Sequence, residues 1–487
     1  MGLAGFLLIT LFVLRASAQG TGAGYVAAGS EFTFAIQANG TLWAWGDNIN
    51  GELGDGTTVT RLQPVAVAEP TGAATGSRWM RIFAENTSTP VFGLRSDHTL
   101  WRWGVGQTRP APVPLSAALP SGATLTDLAI TPGHFLALYS DGSLWSWGSN
   151  SQGQLGLGAA AGTGTVTTPA AVVTPAAAAV GTYWTAIAAE ANGSFAVRSD
   201  GTLWSWGGLA APTPSSLGHP VPAAGCFVPE PVLPAAGAAA GTGWVSVSAG
   251  ETHTLGLRTD GTLWAWGFSG YGALGQGTGN TSTTAPVPVA LPAGVPVGTR
   301  WQRVQARSHT SQGILSDGTL WAWGYNTSGQ LGVNSSRAVE TLPLQDYNQE
   351  NWTQAALGLN HAVGLSRGRV YVTGNGSYGQ LGLGNATTRL YFFVRVVGLP
   401  LGVSPSRDYE LAGQVYPNPA SPGGALSLTT NLSFSSRAEF INSRGQAIGQ
   451  SMVVGNRLQV PLLAPGIYLV RLYDGKQFQG YSKLSIN

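Results

Sequence analysis

One octapeptide dominates the sequence. DGTLWAWG begins at Asp260 and recurs at Asp317, with variants starting at Asn39 (NGTLWAWG), Asp97 (DHTLWRWG), Asp141 (DGSLWSWG) and Asp200 (DGTLWSWG). A weakened seventh copy, RGRVYVTG, starts at Arg367. The copies carry tryptophan pairs at Trp43 and Trp45, Trp101 and Trp103, Trp145 and Trp147, Trp204 and Trp206, Trp264 and Trp266, and Trp321 and Trp323. Tyr371 stands in the seventh slot. Successive leading tryptophans are separated by 44 residues (Trp101 to Trp145) to 60 residues (Trp204 to Trp264). That period belongs to repeat architectures rather than to unrelated domains.

The fifth copy shows the order inside a unit. Trp244 to Ala249 alternates and predicts a strand, and His253 to Leu257 predicts a second. Asp260-Gly261 predicts a two-residue hairpin with both residues at positive φ. Leu263 to Trp266 is a third strand and Pro286 to Ala290 a fourth. Residues two apart on a strand share a face, so Trp264 and Trp266 point one way and Leu263 and Ala265 the other. Both faces are apolar, and both must be buried. A four-stranded sheet buried on both faces and repeated seven times around an axis is a β-propeller, with each tryptophan pair packed against the next blade. A dozen exposed indoles would make apolar patches rare on soluble proteins, which weighs against the pairs as platforms for sugar rings.

Composition narrows the functional classes. Glycine and proline are abundant (70 and 29 residues), charged residues are 9%, and the net charge is +2. Lysine occurs only at Lys476 and Lys483 and no basic run appears, so the footprint of a nucleic-acid binder is missing. Leu3 to Leu14 is an apolar run followed by Ala16-Ser17-Ala18. It is shorter than the roughly 20 residues of a spanning helix, and residues 1–18 read as a signal peptide. No transmembrane segment is expected in the mature chain. Cys226 is the only cysteine, so no internal disulfide forms and stability must come from packing.

The repeat resembles the regulator of chromosome condensation (RCC) family, through AGETHTLGLRTDGTLWAWG from Ala249, NSQGQLGLG from Asn150 and GSYGQLGLG from Gly376. The resemblance covers residues 24–397 and implies a seven-bladed propeller. Blades two and four depart from it. They lack the Gly-Gln-Leu-Gly stretch and carry Pro/Ala-rich inserts in its place (Thr108 to Leu119; Ala210 to Ala240), and His98 stands where the turn wants glycine.

Residues 398–409 read as a linker around Pro400 to Arg407. Alternation at Ile467 to Leu472 and Gln477 to Ile486 predicts strands of a small immunoglobulin-like β-sandwich over 410–487. The expected fold class is therefore all-β, a seven-bladed propeller followed by that sandwich. The C-terminal stretch resembles the sorting domain of the type IX (Por) secretion system. The matching residues are Tyr416, Pro417, Asn418 and Pro419, the segment from Pro465 to Val470 with Gly466 and Tyr468, Gly475 and Lys483. The resemblance implies handling by the type IX machinery and export to the surface or medium of a Gram-negative bacterium, with this domain removed.

The search for chemistry finds no catalytic constellation. His134, His253 and His361 occupy the repeat's own histidine position and read as structural hydrogen-bonding groups. Asp141, Asp200, Asp260 and Asp317 are turn residues. Gly364-Leu365-Ser366-Arg367-Gly368 matches a nucleophile elbow but falls on a hairpin, without the helix that motif needs. Neither a metal nor a cofactor is expected. One pattern invites a binding role: the loop between the first and second strands carries Glu31, Glu85, Glu190 and Glu251 in four blades and Arg307 in the sixth. Such loops share one end of a propeller. The leading reading is an exported binding module whose partner is an extracellular protein or glycan. A secreted polysaccharide-active enzyme is the alternative. A guanine-nucleotide exchange factor follows from family analogy, but export argues against it.

Overall fold

A computed structural model describes residues 24–399, apart from 114–121, 209–214, 223–224, 278–281 and 387–388, together with strands between 415 and 486. Residues 1–18 lie outside the described residues. The chain divides into two compact units, Met1–Gly402 and Val403–Asn487.

The first unit is a seven-bladed propeller. Each blade is an antiparallel four-stranded meander, and each takes all four strands from one continuous stretch of chain. Blade one runs from Tyr25–Ala28 to Arg61–Ala66, and blade seven from Trp352–Leu357 to Arg389–Arg395. Among the described residues no strand is exchanged between the first and last blades. Loop backbone bonds, such as Gly384 N–H to Leu62 C=O (2.9 Å), and side chains join them instead. Gln354 of blade seven accepts from Val26 N–H (3.1 Å) and donates to Val26 C=O (3.0 Å) in blade one. His361 Nε2 meets Thr33 Oγ1 at 2.8 Å across the same seam.

The tryptophans pack as the two-sided alternation requires, but the direction differs from expectation. Trp264 and Trp266 lie with Phe195, Val197 and Leu217 of blade four. Leu263 and Ala265 lie with Trp301 and Trp323 of blade six. The pair therefore faces the preceding blade, not the next. The hairpin also differs. Gly261 has φ 78°, whereas Asp260 stays out of the left-handed region. Gly261 N–H bonds Arg258 C=O, and Arg258 N–H bonds Thr262 C=O, which is a three-residue loop ending in a left-handed glycine. Asp260 Oδ1 accepts from the N–H and hydroxyl of Thr262 (3.0 and 2.7 Å). The aspartate is selected by its side-chain bonds and only the glycine by its dihedral. In blade two His98 takes that position with φ 63°.

The glycine closing the octapeptide has a separate cause in every blade but the second, where a Cβ on Gly104 would meet nothing closer than 3.7 Å. Gly267 has φ 103°, and a Cβ there would lie 2.4 Å from Thr252 C=O. Gly46, Gly148, Gly324 and Gly374 face the equivalent carbonyl at 2.4 to 2.5 Å. The third strand crosses the first loop too closely for any side chain.

Blades two and four are not built as their sequences imply. In blade four, Ser215-Ser216-Leu217-Gly218 does the work of Gly-Gln-Leu-Gly. Leu217 is buried, Ser216 C=O accepts from Trp266 Nε1 (2.6 Å), and Gly218 lies against that indole. Cys226–Pro231, inside the supposed insert, is the fourth strand. In blade two, Gln107–Pro112 is the fourth strand, and only Val105 and Gly106 separate it from Leu100–Gly104. The loop is deleted, not replaced.

In the second unit the described strands form an antiparallel set, with Ser436–Ile441 paired to Ala447–Val454 and to Gly466–Asp474. Ala438, Phe440 and Val470 are buried. Tyr416 ends the strand Val415–Tyr416, and Gly466 and Tyr468 open the strand Gly466–Asp474. Pro417, Asn418 and Pro419 lie outside the described residues.

Candidate binding face

Antiparallel connectivity puts the loops after the first and third strands of every blade at one end of the propeller. Glu31, Glu85, Glu190, Glu251 and Arg307 all stand there, but the fold gives each a different environment. Glu31 accepts from Asn360 Nδ2 (3.1 Å) and from the Gln380 amide of blade seven. Burial raises its pKa, and the two amides oppose that rise. Glu85 pairs with Arg307 at 3.1 Å. Arg307 belongs to blade six, yet its guanidinium also donates to the carbonyls of Glu85, Ala84 (3.4 Å) and Ala28 (3.5 Å). One side chain thus ties blade six to blades one and two across the propeller axis.

Glu190 is nearly inaccessible, at 9% exposure. Ser216 Oγ donates to Oε1 (2.7 Å), while Oε2 has no partner among the described residues. Burial pushes this carboxyl up to about 7, with the Ser216 bond opposing. Its proton is therefore held well above the ordinary carboxylate range. Glu251 is the accessible one, with its side chain 60% exposed. The ring of four acids resolves into one ion pair, one amide-capped carboxylate, one buried carboxyl and one exposed carboxylate.

Around Glu251 lies a group that the repeat pattern hid. His309 Nε2 is 3.7 Å from Glu251 Oε2, and Ser308 Oγ donates to the same oxygen at 3.4 Å. Tyr271 stacks on His309 with ring centroids 4.4 Å apart, and Tyr325 meets Tyr271 edge-on at 5.4 Å. Burial lowers the His309 pKa and Glu251 opposes that fall. His309 precedes Thr310, which pairs with Gly324 as His253 pairs with Gly267. It is thus one residue outside the repeat's histidine slot, and that offset is the signal available in the sequence.

The remaining histidines are structural. Nε2 of His134 and His253 lies 2.8 Å from the hydroxyls of Ser194 and Ser311 in the next blade. Burial drives His134, His253 and His361 down to about 3, so all three are neutral. Ser366 Oγ donates to Glu350 (3.0 Å) and is followed by a hairpin through Arg367 and Gly368, which leaves it no elbow. The Cys226 thiol is buried and pushed up to about 11. Among the described residues no group of three or more His, Cys, Asp or Glu could hold a metal ion.

The RCC1-like domain model matches residues 88–407, and regulator of chromosome condensation (RCC1) repeats match 25–52 and 39–84. The chain belongs to the RCC1-like domain family. It is 26% identical to the ultraviolet-B receptor UVR8 of Arabidopsis thaliana over 75% of its own length and 79% of that protein. It is 27% identical to the RCC1 domain-containing mitochondrial protein RUG3 of the same plant, over 70% and 79%. Against human E3 ubiquitin-protein ligase HERC2 it is 26% identical over 73% of its length but spans only 7% of that protein. The same fold recurs in yeast RCC1 (Prp20) solved with Kap60, at TM-score 0.60 and 20% identity over 74% and 84% of the two chains. It recurs in human WBSCR16, at TM-score 0.58 and 21% identity over 72% and 87%. Residues 414–487 match a secretion system C-terminal sorting domain. This RCC1-like chain therefore carries a type IX sorting signal and is a secreted or cell-surface protein.

Proposed function

We propose that this RCC1-like chain is an exported binding propeller whose protein partner docks on the loop end at the seam of blades five and six. The exposed Glu251 beside His309 and Tyr271 carries this reading. An accessible carboxylate next to half-buried rings offers charge for a basic side chain and apolar area for its neighbours. Glu31, Glu85, Glu190 and Arg307 shape the same end from within, and their bonds hold the loops still. Residues 1–18 act as the signal peptide, residues 398–409 link the units, and 410–487 form an immunoglobulin-like sandwich that engages the type IX machinery in a Gram-negative envelope.

Two experiments test this. Deleting residues 408–487 should leave a folded propeller in the periplasm, and surface or medium levels equal to the intact protein would overturn the export reading. For docking, the intact protein is used to capture a partner from native surface material, and affinity is then measured with purified components. Glu251→Gln should weaken binding several-fold at low salt and much less at high salt. Unchanged affinity at low salt would place the docking site elsewhere.

A further inference from the structure

An arginine clamp recurs at the end of the propeller opposite Glu251. In blades two, four and five the second strand ends at Arg95, Arg198 and Arg258. Each guanidinium lies over the indole that opens its blade, Trp79, Trp184 or Trp244, at 4.7 to 5.0 Å. Nε and Nη2 donate to the hydroxyl and the carbonyl of the residue two before that indole: Ser77, Thr182 or Thr242. The clamp thus holds the connector that crosses from the preceding blade. In blade two the guanidinium has a further partner, because Nη1 pairs with Glu69 of that connector at 3.3 Å.

Equivalent backbone bonds align the three connectors: Ser77 N–H to Ala74 C=O, Thr182 to Ala179, and Thr242 to Ala239. On that alignment Thr174 and Pro234 stand where Glu69 does. Among the described residues neither Arg198 nor Arg258 forms an ion pair, although both are nearly buried, at 3% and 8% exposure. A guanidinium keeps its charge in proteins. The turn aspartate two residues on (Asp97, Asp200 or Asp260) is common to all three blades, and in blade two it does not replace Glu69. Arg258 also lines an open groove of about 570 Å³, within the size range of ligand pockets, roughly 300–1,000 Å³. Its walls are small or flat, with Trp204, Pro234, Ala235, Ala238 and Ala239 among them, and every residue lining it is described. Gly243 helps to keep it open. At four other seams the residue before the opening indole lays a side chain over the hairpin glycine of the preceding blade: Arg78 over Gly40, Tyr183 over Gly142, Arg300 over Gly261 and Asn351 over Gly318. Here Gly243 meets Gly201 backbone to backbone.

We infer that the groove beside Arg258 receives a glutamate of a partner protein, carried between small apolar residues. Blade two supplies the pattern: the incoming carboxylate accepts from Arg258 Nη1 as Glu69 accepts from Arg95 Nη1. A charge-assisted bond to a nearly buried guanidinium is stronger than one between neutral groups, and the alanine and proline walls leave room only for small neighbours. Arg198 shares the missing carboxylate but not the open seam, because Tyr183 covers Gly142 there. This end carries the hairpins and the connectors, so the site is separate from the loop end that holds Glu251 and His309.

The test titrates a capped Ala-Ala-Glu-Ala-Ala peptide against the full chain by saturation-transfer NMR. Saturable binding is expected, at least tenfold weaker for Ala-Ala-Gln-Ala-Ala. Pro234→Glu gives Arg258 a carboxylate of the chain's own and should abolish binding, whereas Pro234→Gln should keep it. Ala239→Trp, at an exposed position of the groove wall, should block binding independently, with the melting temperature within a few degrees of the unaltered chain. Glu251→Gln should leave the peptide's affinity unchanged, which separates this site from the docking site at the loop end. Absence of saturable binding overturns the inference, as does equal affinity for the glutamine peptide, or binding untouched by Pro234→Glu and Ala239→Trp. Loss of binding in Pro234→Gln as well would make shape rather than charge decisive and would also overturn it. Free glucuronate that displaces the glutamate peptide at equal concentration would assign the groove to an acidic glycan, with the same consequence.

Discussion

Several contacts close the ring between blades one and seven, and Gln354 is where the contribution of one of them can be measured. In many propellers a strand shared between the first and last blades resists opening; here both blades are complete without each other. Gln354 imitates a strand neighbour by bonding both the N–H and the C=O of Val26 (3.1 and 3.0 Å). Val26 is only 1% exposed, so water cannot take over both groups. Gln354→Met keeps the volume and removes both bonds. Two lost hydrogen bonds would cost about 2 kcal/mol net, and two stranded backbone groups raise the total to about 2–4 kcal/mol. Chemical denaturation of the intact protein with separate probes on the two units should show the propeller transition shifted by that amount. Limited proteolysis should speed up in blades one and seven before blades three to five. If the propeller's transition moved by less than about 0.5 kcal/mol, the seam would be held by Thr33–His361 and the Trp45 bond, and the reasoning would fail.

Other predictions follow from single environments. Glu190 titrates near 4.5 when unfolded and about 7 when folded. Below the lower value both states are protonated; between the two the fold keeps a proton that the unfolded chain has lost, so stability falls as pH rises. Glu190→Gln should remove up to about 3 kcal/mol of that loss, appearing as higher stability near pH 8 and little change near pH 4 in paired melts. Trp266→Ala, at a fully buried indole, should cost about 3–5 kcal/mol, whereas Trp147→Ala, at a half-buried one, should cost about 1–2 kcal/mol; equal costs in denaturant titrations would refute the difference in burial. Asp260→Ala removes only exposed turn bonds and should cost about 1 kcal/mol.

The sequence alone determined what is local. A blade's strands are neighbours in the chain, so the period-two alternation around Trp264 and Trp266 was enough to demand a sheet buried on both faces. Seven copies then demanded a ring. The sorting segment was legible because its residues are contiguous. Which blade the indoles face was not legible, since alternation separates two faces without naming their neighbours. Nor was the loop in blade four, where Ser216 replaces glutamine and still supplies the backbone carbonyl that accepts from the indole. The four loop glutamates looked equivalent because the repeat places them alike. Their differences come from groups far off in sequence: Arg307 lies 222 residues from Glu85, and Gln380 lies 349 from Glu31. Charge state at this end is set by what ring closure brings within 3–4 Å, and electrostatic interaction is decided at that range. A repeat dictates backbone positions, whereas pairing across an axis exists only once the ring has closed.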